Sequence, residues 1–130
     1  MFLQILIYNG DADFILSHMG NAAWIREGLG LSKQTKEWSK WHGSDRQVPH
    51  WWCPRAHPFH TLSSPILQVA GYFEQFATAG KPLSFLTVKG AGHMVPKDRP
   101  RHALDMLERF LGGGDYDAVK PAKTTPLCAK

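Results

Sequence analysis

Two short apolar runs in the chain each end abruptly at a polar turn that contains glycine. Residues 3–8 read LQILIY and stop at NGD, whereas residues 83–89 read LSFLTVK and stop at GAG. Runs of this length, bounded by turn residues, are typical of buried strands in a parallel sheet. The pattern therefore predicts two parallel neighbouring strands whose carboxyl ends lie at the same edge of the sheet.

Helical periodicity is clearest in residues 101–111, and three glycines at 112–114 end the pattern. Residues 21–29 carry a shorter apolar stripe and are also predicted to be helical. The apolar positions of the first segment are Ala103, Leu104, Met106, Leu107, Phe110 and Leu111.

Two other segments have no single interpretation. Residues 33–41 place Trp38 and Trp41 three positions apart among Lys and Glu residues, which fits a helical turn or a packed edge segment. Residues 66–76, ILQVAGYFEQF, fit either a strand or a helix. The order of strand, helix, strand and helix nevertheless indicates an α/β architecture.

Residues 47–65 interrupt this order, with four prolines, three histidines and no acidic residue. The segment has neither strand nor helix periodicity, so we predict a long irregular insertion. A translated intron would look the same in a protein sequence. A zinc site is a further alternative, but the spacing H-x2-C-x3-H-x2-H fits no standard finger, and we predict no metal. Its ligands would be His50, Cys53, His57 and His60.

Overall composition and charge exclude only a few classes of function. The net charge is +4, but the basic residues are scattered, so no face that binds nucleic acid is predicted. No stretch is long enough for a membrane span, and the first residues lack the basic leader of a signal peptide. Residues 115–130 are predicted to be a disordered tail.

Titratable side chains follow both predicted strands. Asp11 and Asp13 lie in the turn after the first strand, and His93 lies in the turn after the second. Ligands bind beyond the carboxyl ends of parallel strands, where these side chains can meet. An aspartate that accepts the Nδ1–H of a histidine fixes its tautomer and stabilises the imidazolium. The same residues can also be simple turn formers beside a solvated imidazole, and their spacing does not decide between the two.

The motifs around these residues resemble the serine carboxypeptidase family. ILIYNGDADFI, followed by MGNAAW, is similar to the family's aspartate segment, and LSFLTVKGAGHMVPKDRP is similar to its histidine signature. QVAGY, at residues 68–72, resembles the segment that the family places between them. The resemblance implies that residues 1–114 are the C-terminal portion of an α/β-hydrolase domain. That portion would contain two to three parallel strands with flanking helices and the insertion at 47–65.

The resemblance also implies roles for individual residues. Asp13 would orient His93, and His93 would act first as general base and then as general acid. Asp11 would be structural and shape the turn through its side chain. Met94 would line the pocket for the departing C-terminal amino acid. No cofactor and no metal are implied.

The nucleophile that the family requires is not evident. The hydrolase order along the chain is Ser, Asp, His, and no serine here lies in a G-x-S-x-G elbow. The sequence at 43–45, GSD, is only a turn signal. We therefore expect the chain to require an upstream Ser-containing part of the same protein and to be inactive alone. The family implies peptide or protein substrates with a free C-terminus and a vacuolar, lysosomal or secreted location.

Two alternatives to the peptidase remain at this point. One is an acyltransferase or hydroxynitrile lyase on the same scaffold, and the other is a non-catalytic interaction module. The missing serine favours the module, whereas the intact GDAD and GAGHMVP turns argue against it. If the sheet continues outside this chain, apolar side chains of both strands should be exposed and promote association. Those side chains are Ile5, Ile7, Phe85, Leu86 and Val88.

Overall fold

The computed structural model of the chain describes residues 3–31, 33–46 and 67–118. Its elements in chain order are β1 (Ile5–Gly10), α1 (His18–Ala23), a π-helical turn (Trp24–Gly28), β2 (Gln34–Arg46), β3 (Leu67–Phe76), β4 (Leu83–Val88), α2 (Val95–Asp98) and α3 (Pro100–Leu111). The four strands form one sheet in the order β1-β4-β3-β2. The insertion predicted at 47–65 lies outside the described residues.

The two apolar runs are neighbouring parallel strands, as predicted. β1 pairs with β4 from Ile5 opposite Leu83 to Gly10 opposite Val88, so both strands end at the same edge of the sheet. All six residues of β4 are buried, which explains their continuous apolar pattern. Two of the predicted two to three parallel strands are therefore present. The antiparallel orientation of the other two strands was not predicted, since β3 is antiparallel to β4 and β2 is antiparallel to β3. The fold is therefore mixed α/β with only two parallel strands in its sheet.

The ambiguous segment 33–41 belongs to strand β2. Trp38 and Trp41 are an odd number of positions apart, so they point to opposite faces of the sheet. Trp41 is fully buried and donates its indole N–H to the Thr87 carbonyl oxygen at 2.9 Å. Trp38 stacks on Tyr72 with 5.8 Å between ring centroids. β2 and β3 shift register at four points, and such irregularities hide the alternation expected of a strand.

Each face of the sheet carries its own apolar cluster. On one face, Ala103 and Met106 of α3 pack into a cluster that includes Leu86 of β4. On the other face, Ile25 of the π-helical turn packs with Phe85 of the same strand. Because successive residues of a strand point to opposite faces, Phe85 and Leu86 together make β4 the centre of both clusters.

α3 buries two charged residues that its predicted apolar face does not include. Asp105 and Arg109 are each 3% exposed. Asp105 accepts hydrogen bonds from the backbone N–H and the hydroxyl of Ser44, at 2.7 and 2.8 Å. Ser44 therefore lies in strand β2, where it is hydrogen-bonded to α3, and not in the turn predicted at 43–45. Arg109 donates to the carbonyl oxygens of His42, Tyr116 and Ala118.

The chain after α3 folds back onto the sheet. Tyr116 is 1% exposed, and its ring centroid lies 5.4 Å from that of Phe73. Burial raises the pKa of Tyr116 to about 12. Residues 115–118 are therefore packed against the domain, although the predicted tail began at 115. The remainder of that tail, 119–130, lies outside the described residues.

The prediction of exposed apolar surface is confirmed at Ile5, which is 38% exposed, but not in β4. Leu104 and Leu107 of α3 are 54% and 47% exposed, and with Ile5 and Tyr8 of β1 they line an open groove of about 680 Å³. Within the described ranges, no helix has the length and apolar character needed to cross a membrane. The three β4 side chains that were expected to be exposed are fully buried, namely Phe85, Leu86 and Val88.

Candidate active site

The site lies at the carboxyl ends of β1 and β4, where two turns meet. We call residues 11–13 the aspartate turn and residues 89–93 the histidine turn. The Ala12 N–H donates to the Ala91 carbonyl oxygen at 3.0 Å and so connects the two turns directly. Side chains from both turns are thereby brought to one edge of the sheet, where ligands of parallel strands bind.

Asp13 and His93 form a hydrogen bond between these turns. Oδ2 of Asp13 lies 2.9 Å from Nδ1 of His93, although the residues are 80 positions apart in the chain. An ionised carboxylate can only accept, so Nδ1 is the donor. A neutral imidazole then carries its lone pair on Nε2.

The carboxylate of Asp13 is held on its other side as well. Its Oδ1 atom accepts the backbone N–H groups of Ile15, at 2.9 Å, and Leu16, at 3.1 Å. The hydrogen bond with His93, followed by the one from Leu16, lowers the pKa of Asp13, because both favour the charged form. Burial of the carboxylate raises its pKa, but the hydrogen bonds have the larger effect. Asp13 is therefore ionised at neutral pH, and its orientation is fixed by three hydrogen bonds.

The imidazole of His93 is open on the side away from Asp13. Its side chain is 60% exposed, whereas that of Asp13 is 4% exposed. Nε2 has no hydrogen-bond partner among residues 3–31, 33–46 and 67–118. An imidazole with Nδ1 held by a carboxylate and Nε2 accessible can exchange a proton with a group that approaches from outside.

Comparison with known proteins identifies the family. The sequence model described as serine carboxypeptidase matches residues 2–113. The chain belongs to the serine carboxypeptidase family.

Three relatives show how much of such a protein the chain represents. Serine carboxypeptidase-like 20 of Arabidopsis thaliana is 39% identical over 110 residues, which are 85% of this chain and 17% of the relative. Carboxypeptidase Y of Candida albicans is 36% identical over 115 residues, 88% of this chain and 17% of the relative. Lysosomal protective protein of Mus musculus is 34% identical over 115 residues, which are 87% of this chain and 19% of the relative. The chain thus spans less than a fifth of the length of these serine carboxypeptidase relatives.

Two other residues of the serine carboxypeptidase motifs have definite positions. Asp11, expected to shape its own turn, reaches the histidine turn, where its Oδ1 accepts the N–H of Gly90 at 2.6 Å. Met94 directly follows His93 and is 59% exposed, so it is accessible at the same edge of the sheet.

Four polar residues that the sequence patterns did not single out also hold the two turns in place. Asn9, 7% exposed, donates through Nδ2 to the Leu16 carbonyl oxygen at 2.9 Å and accepts from Asn21 Nδ2 at 2.6 Å. Asp98 accepts the N–H of Gly92 at 2.8 Å, and Arg99 donates through Nε to the Gly90 carbonyl oxygen at 3.2 Å. Asn9 and Asn21 lie in the aspartate segment and could have been singled out as polar residues flanking an apolar strand.

A metal has no evident place in the described part of the site. No group of three or more His, Cys, Asp or Glu side chains in that part could hold a metal ion. The four ligands of the zinc alternative, all within 47–65, lie outside the described residues.

Proposed function

We propose that the chain supplies the aspartate and histidine of a serine carboxypeptidase active site. The observation that carries the proposal is the 2.9 Å hydrogen bond from Nδ1 of His93 to the buried carboxylate of Asp13, with Nε2 left open to solvent. This arrangement supports a histidine held in one tautomer for proton transfer on its exposed side. Membership of the serine carboxypeptidase family supports the reaction type.

In the proposed reaction, Nε2 of His93 takes the hydroxyl proton of a serine while the serine oxygen attacks the C-terminal peptide bond. Asp13 stabilises the imidazolium that results. His93 then gives the proton to the leaving amine nitrogen as the C–N bond breaks, and an acyl-enzyme remains. Water attacks the acyl group with the same imidazole as base, which releases the shortened peptide and restores the serine.

The serine and the donors that bind the oxyanion would come from an upstream part of the same protein. The order of the triad along α/β-hydrolase chains supports this, because the serine precedes the aspartate. The substrates would be peptides or proteins with a free C-terminus, and Met94 would lie beside the departing amino acid. We infer a lysosomal or vacuolar location, since one relative is named a lysosomal protective protein.

The test uses the longer protein that contains this chain and follows release of the C-terminal residue from blocked dipeptides. Asp13→Asn should lower kcat about 10⁴-fold, because the imidazole loses its fixed tautomer. His93→Gln should lower kcat at least as much. Glu37→Gln, an exposed substitution on β2, is the matched control and should leave kcat unchanged. Transfer of the acyl group to an alcohol or amine instead of water would favour the acyltransferase.

The isolated chain provides a second arm of the test. It should not turn over blocked dipeptides and should not react with a serine-directed fluorophosphonate. Labelling of any residue in this chain would show that the nucleophile lies here. Activity of the longer protein that survives both Asp13→Asn and His93→Gln within about tenfold would contradict the assigned roles.

A further inference from the structure

The histidine turn is held at two points by carboxylates other than Asp13. Oδ1 of Asp11 accepts the N–H of Gly90 at 2.6 Å, and Oδ2 of Asp98 accepts the N–H of Gly92 at 2.8 Å. These two donors lie on either side of Ala91, immediately before His93. One carboxylate therefore comes from the aspartate turn, which precedes the histidine turn in the chain. The other comes from α2, which follows it.

Asp98 reaches back to Gly92 because α2 begins at once after Met94. The N–H of Asp98 donates to the Met94 carbonyl oxygen at 3.0 Å, which closes a single helical turn. The Asp98 carboxylate also accepts a hydrogen bond from the Gly92 N–H across that turn. His93 thus lies inside a short loop of chain whose two ends are joined by a side-chain hydrogen bond.

The two carboxylates act together with other restraints on this turn, namely the buried side chain of Ala91 and the hydrogen bond from Arg99 to the Gly90 carbonyl oxygen. Gly90 has φ of 69°, and glycines have more backbone freedom than other residues. The His93 side chain is 60% exposed, so its orientation is not determined by burial. Hydrogen bonds from a backbone N–H to a charged carboxylate are stronger than those to neutral acceptors, so the two carboxylates restrain the glycines on either side of Ala91.

We propose that Asp11 and Asp98 are positioning residues that hold the histidine turn so that Nδ1 of His93 faces Asp13. The proposal deepens the proposed function, which supplies the reason for holding the imidazole. Both carboxylates are exposed, so each contributes little to global stability. Their removal should release the imidazole without unfolding the chain.

The test observes the His93 imidazole by ¹H–¹⁵N NMR in the ¹⁵N-labelled longer protein that contains this chain, with His93→Gln used to assign its signals. Asp98→Ala and Asp11→Ala remove the acceptor. They should abolish the hydrogen-bonded Nδ1–H signal and produce a mixture of the two tautomers. Asp98→Asn and Asp11→Asn keep a side-chain oxygen acceptor and should retain the signal. Glu37→Ala, an exposed carboxylate on β2, should leave the spectrum unchanged.

Two outcomes would overturn the proposal. One is an unchanged imidazole spectrum in both alanine variants. The other is global unfolding of an alanine variant, since that would show a role in holding the fold instead of the turn. The measurement needs no turnover, so loss of the Nδ1–H signal in the alanine variants would support the positioning role even if the longer protein proved inactive as a peptidase.

Discussion

Gly10 lies so close to Ala91 that no side chain fits between them. A Cβ atom built on Gly10 would be 2.1 Å from the Ala91 carbonyl oxygen and 2.3 Å from that of Gly92. Both atoms belong to the backbone of the histidine turn, so they can move only if the turn moves. The absence of a side chain at Gly10 therefore sets how closely the aspartate and histidine turns approach each other.

Gly10→Ala should separate the two turns and break the hydrogen bond between Asp13 and His93. Forcing extra atoms into a packed region costs about 1–3 kcal/mol, and here the contact is with backbone that cannot rotate away. Unfolding by urea should show this loss of stability, and the Nδ1–H signal of His93 should disappear. Gly20→Ala is the control, because its Cβ would meet nothing within 4 Å and its helical position favours alanine. An unchanged Nδ1–H signal in Gly10→Ala would contradict the prediction.

Stability should depend on the ionisation of Asp13 at acid pH. The folded-state pKa of Asp13 lies below its ordinary value of 3.8, so the unfolded chain binds the proton more readily. The resulting stabilisation is complete well above pH 3.8 and is lost as the pH falls through the folded-state pKa. Asp13→Asn should therefore lower the free energy of unfolding at neutral pH, and its difference from the wild type should shrink as the pH falls below 3.8.

Thermal unfolding measured between neutral pH and pH 2 tests this dependence. Glu37→Gln is again the matched carboxylate control and should follow the wild-type curve. A constant difference between Asp13→Asn and the wild type over the whole range would show that the pKa of Asp13 is not lowered by folding.

Arg109→Met should destabilise the chain by about 3 kcal/mol, because it leaves the buried Tyr116 carbonyl and several partly buried carbonyl groups without their donor. Arg109 donates to four carbonyl oxygens, from His42 at 2.8 Å, Asp115 at 3.5 Å, Tyr116 at 3.0 Å and Ala118 at 2.7 Å. Burial lowers the pKa of Arg109 despite the nearby Asp105. Arg109→Lys should cost less, since an ammonium keeps some of the donors.

Urea denaturation provides the measurement for these variants. Lys40→Met, an exposed substitution on β2, is the control and should change stability by less than about 0.5 kcal/mol. A loss below about 1 kcal/mol in Arg109→Met would show that water replaces the guanidinium at these carbonyl groups.

The groove between β1 and α3 should make the isolated chain associate and bind a hydrophobic dye. Leu104→Glu and Leu107→Glu should reduce both effects, because these side chains line the groove. Leu111→Glu is the matched control, since Leu111 is 75% exposed but does not line the groove. Light scattering and ANS fluorescence measure the two effects. A monodisperse wild-type chain without ANS binding would contradict the expectation and favour an independent binding module.

The two parallel strands could be predicted from sequence because each is a short apolar run, and in β4 that run reflects burial on both faces. β1 and β4 are short apolar runs with glycine turns, and both were found. β2 was not assigned, because the tryptophans at 38 and 41 lie on opposite faces and the register shifts hide the alternation. The charged residues Asp105 and Arg109 carry no apolar pattern, so their burial depends on tertiary contacts that the sequence does not display.

For the candidate site, sequence indicated the two residues of the proposed catalytic pair better than the residues that hold their turns in place. Asp13 and His93 follow strands whose pairing brings their ends together, and the structure places them in contact. Asp98 gave no comparable signal, because an aspartate at the end of a short helix is common in turns. Its contact with Gly92 follows from the path of the chain after His93, which local patterns do not encode.

The separation of Asp13 from His93 along the chain also bears on when the site forms. The hydrogen bond joins positions 80 residues apart, and it requires β1 to be paired with β4. Contacts of such long sequence separation form late, because closing the intervening chain costs entropy before the contact contributes. Any partly folded form in which β1 is detached therefore has no oriented imidazole. The fixed tautomer of His93 is therefore a property of the assembled sheet, which neither turn has when the two strands are apart.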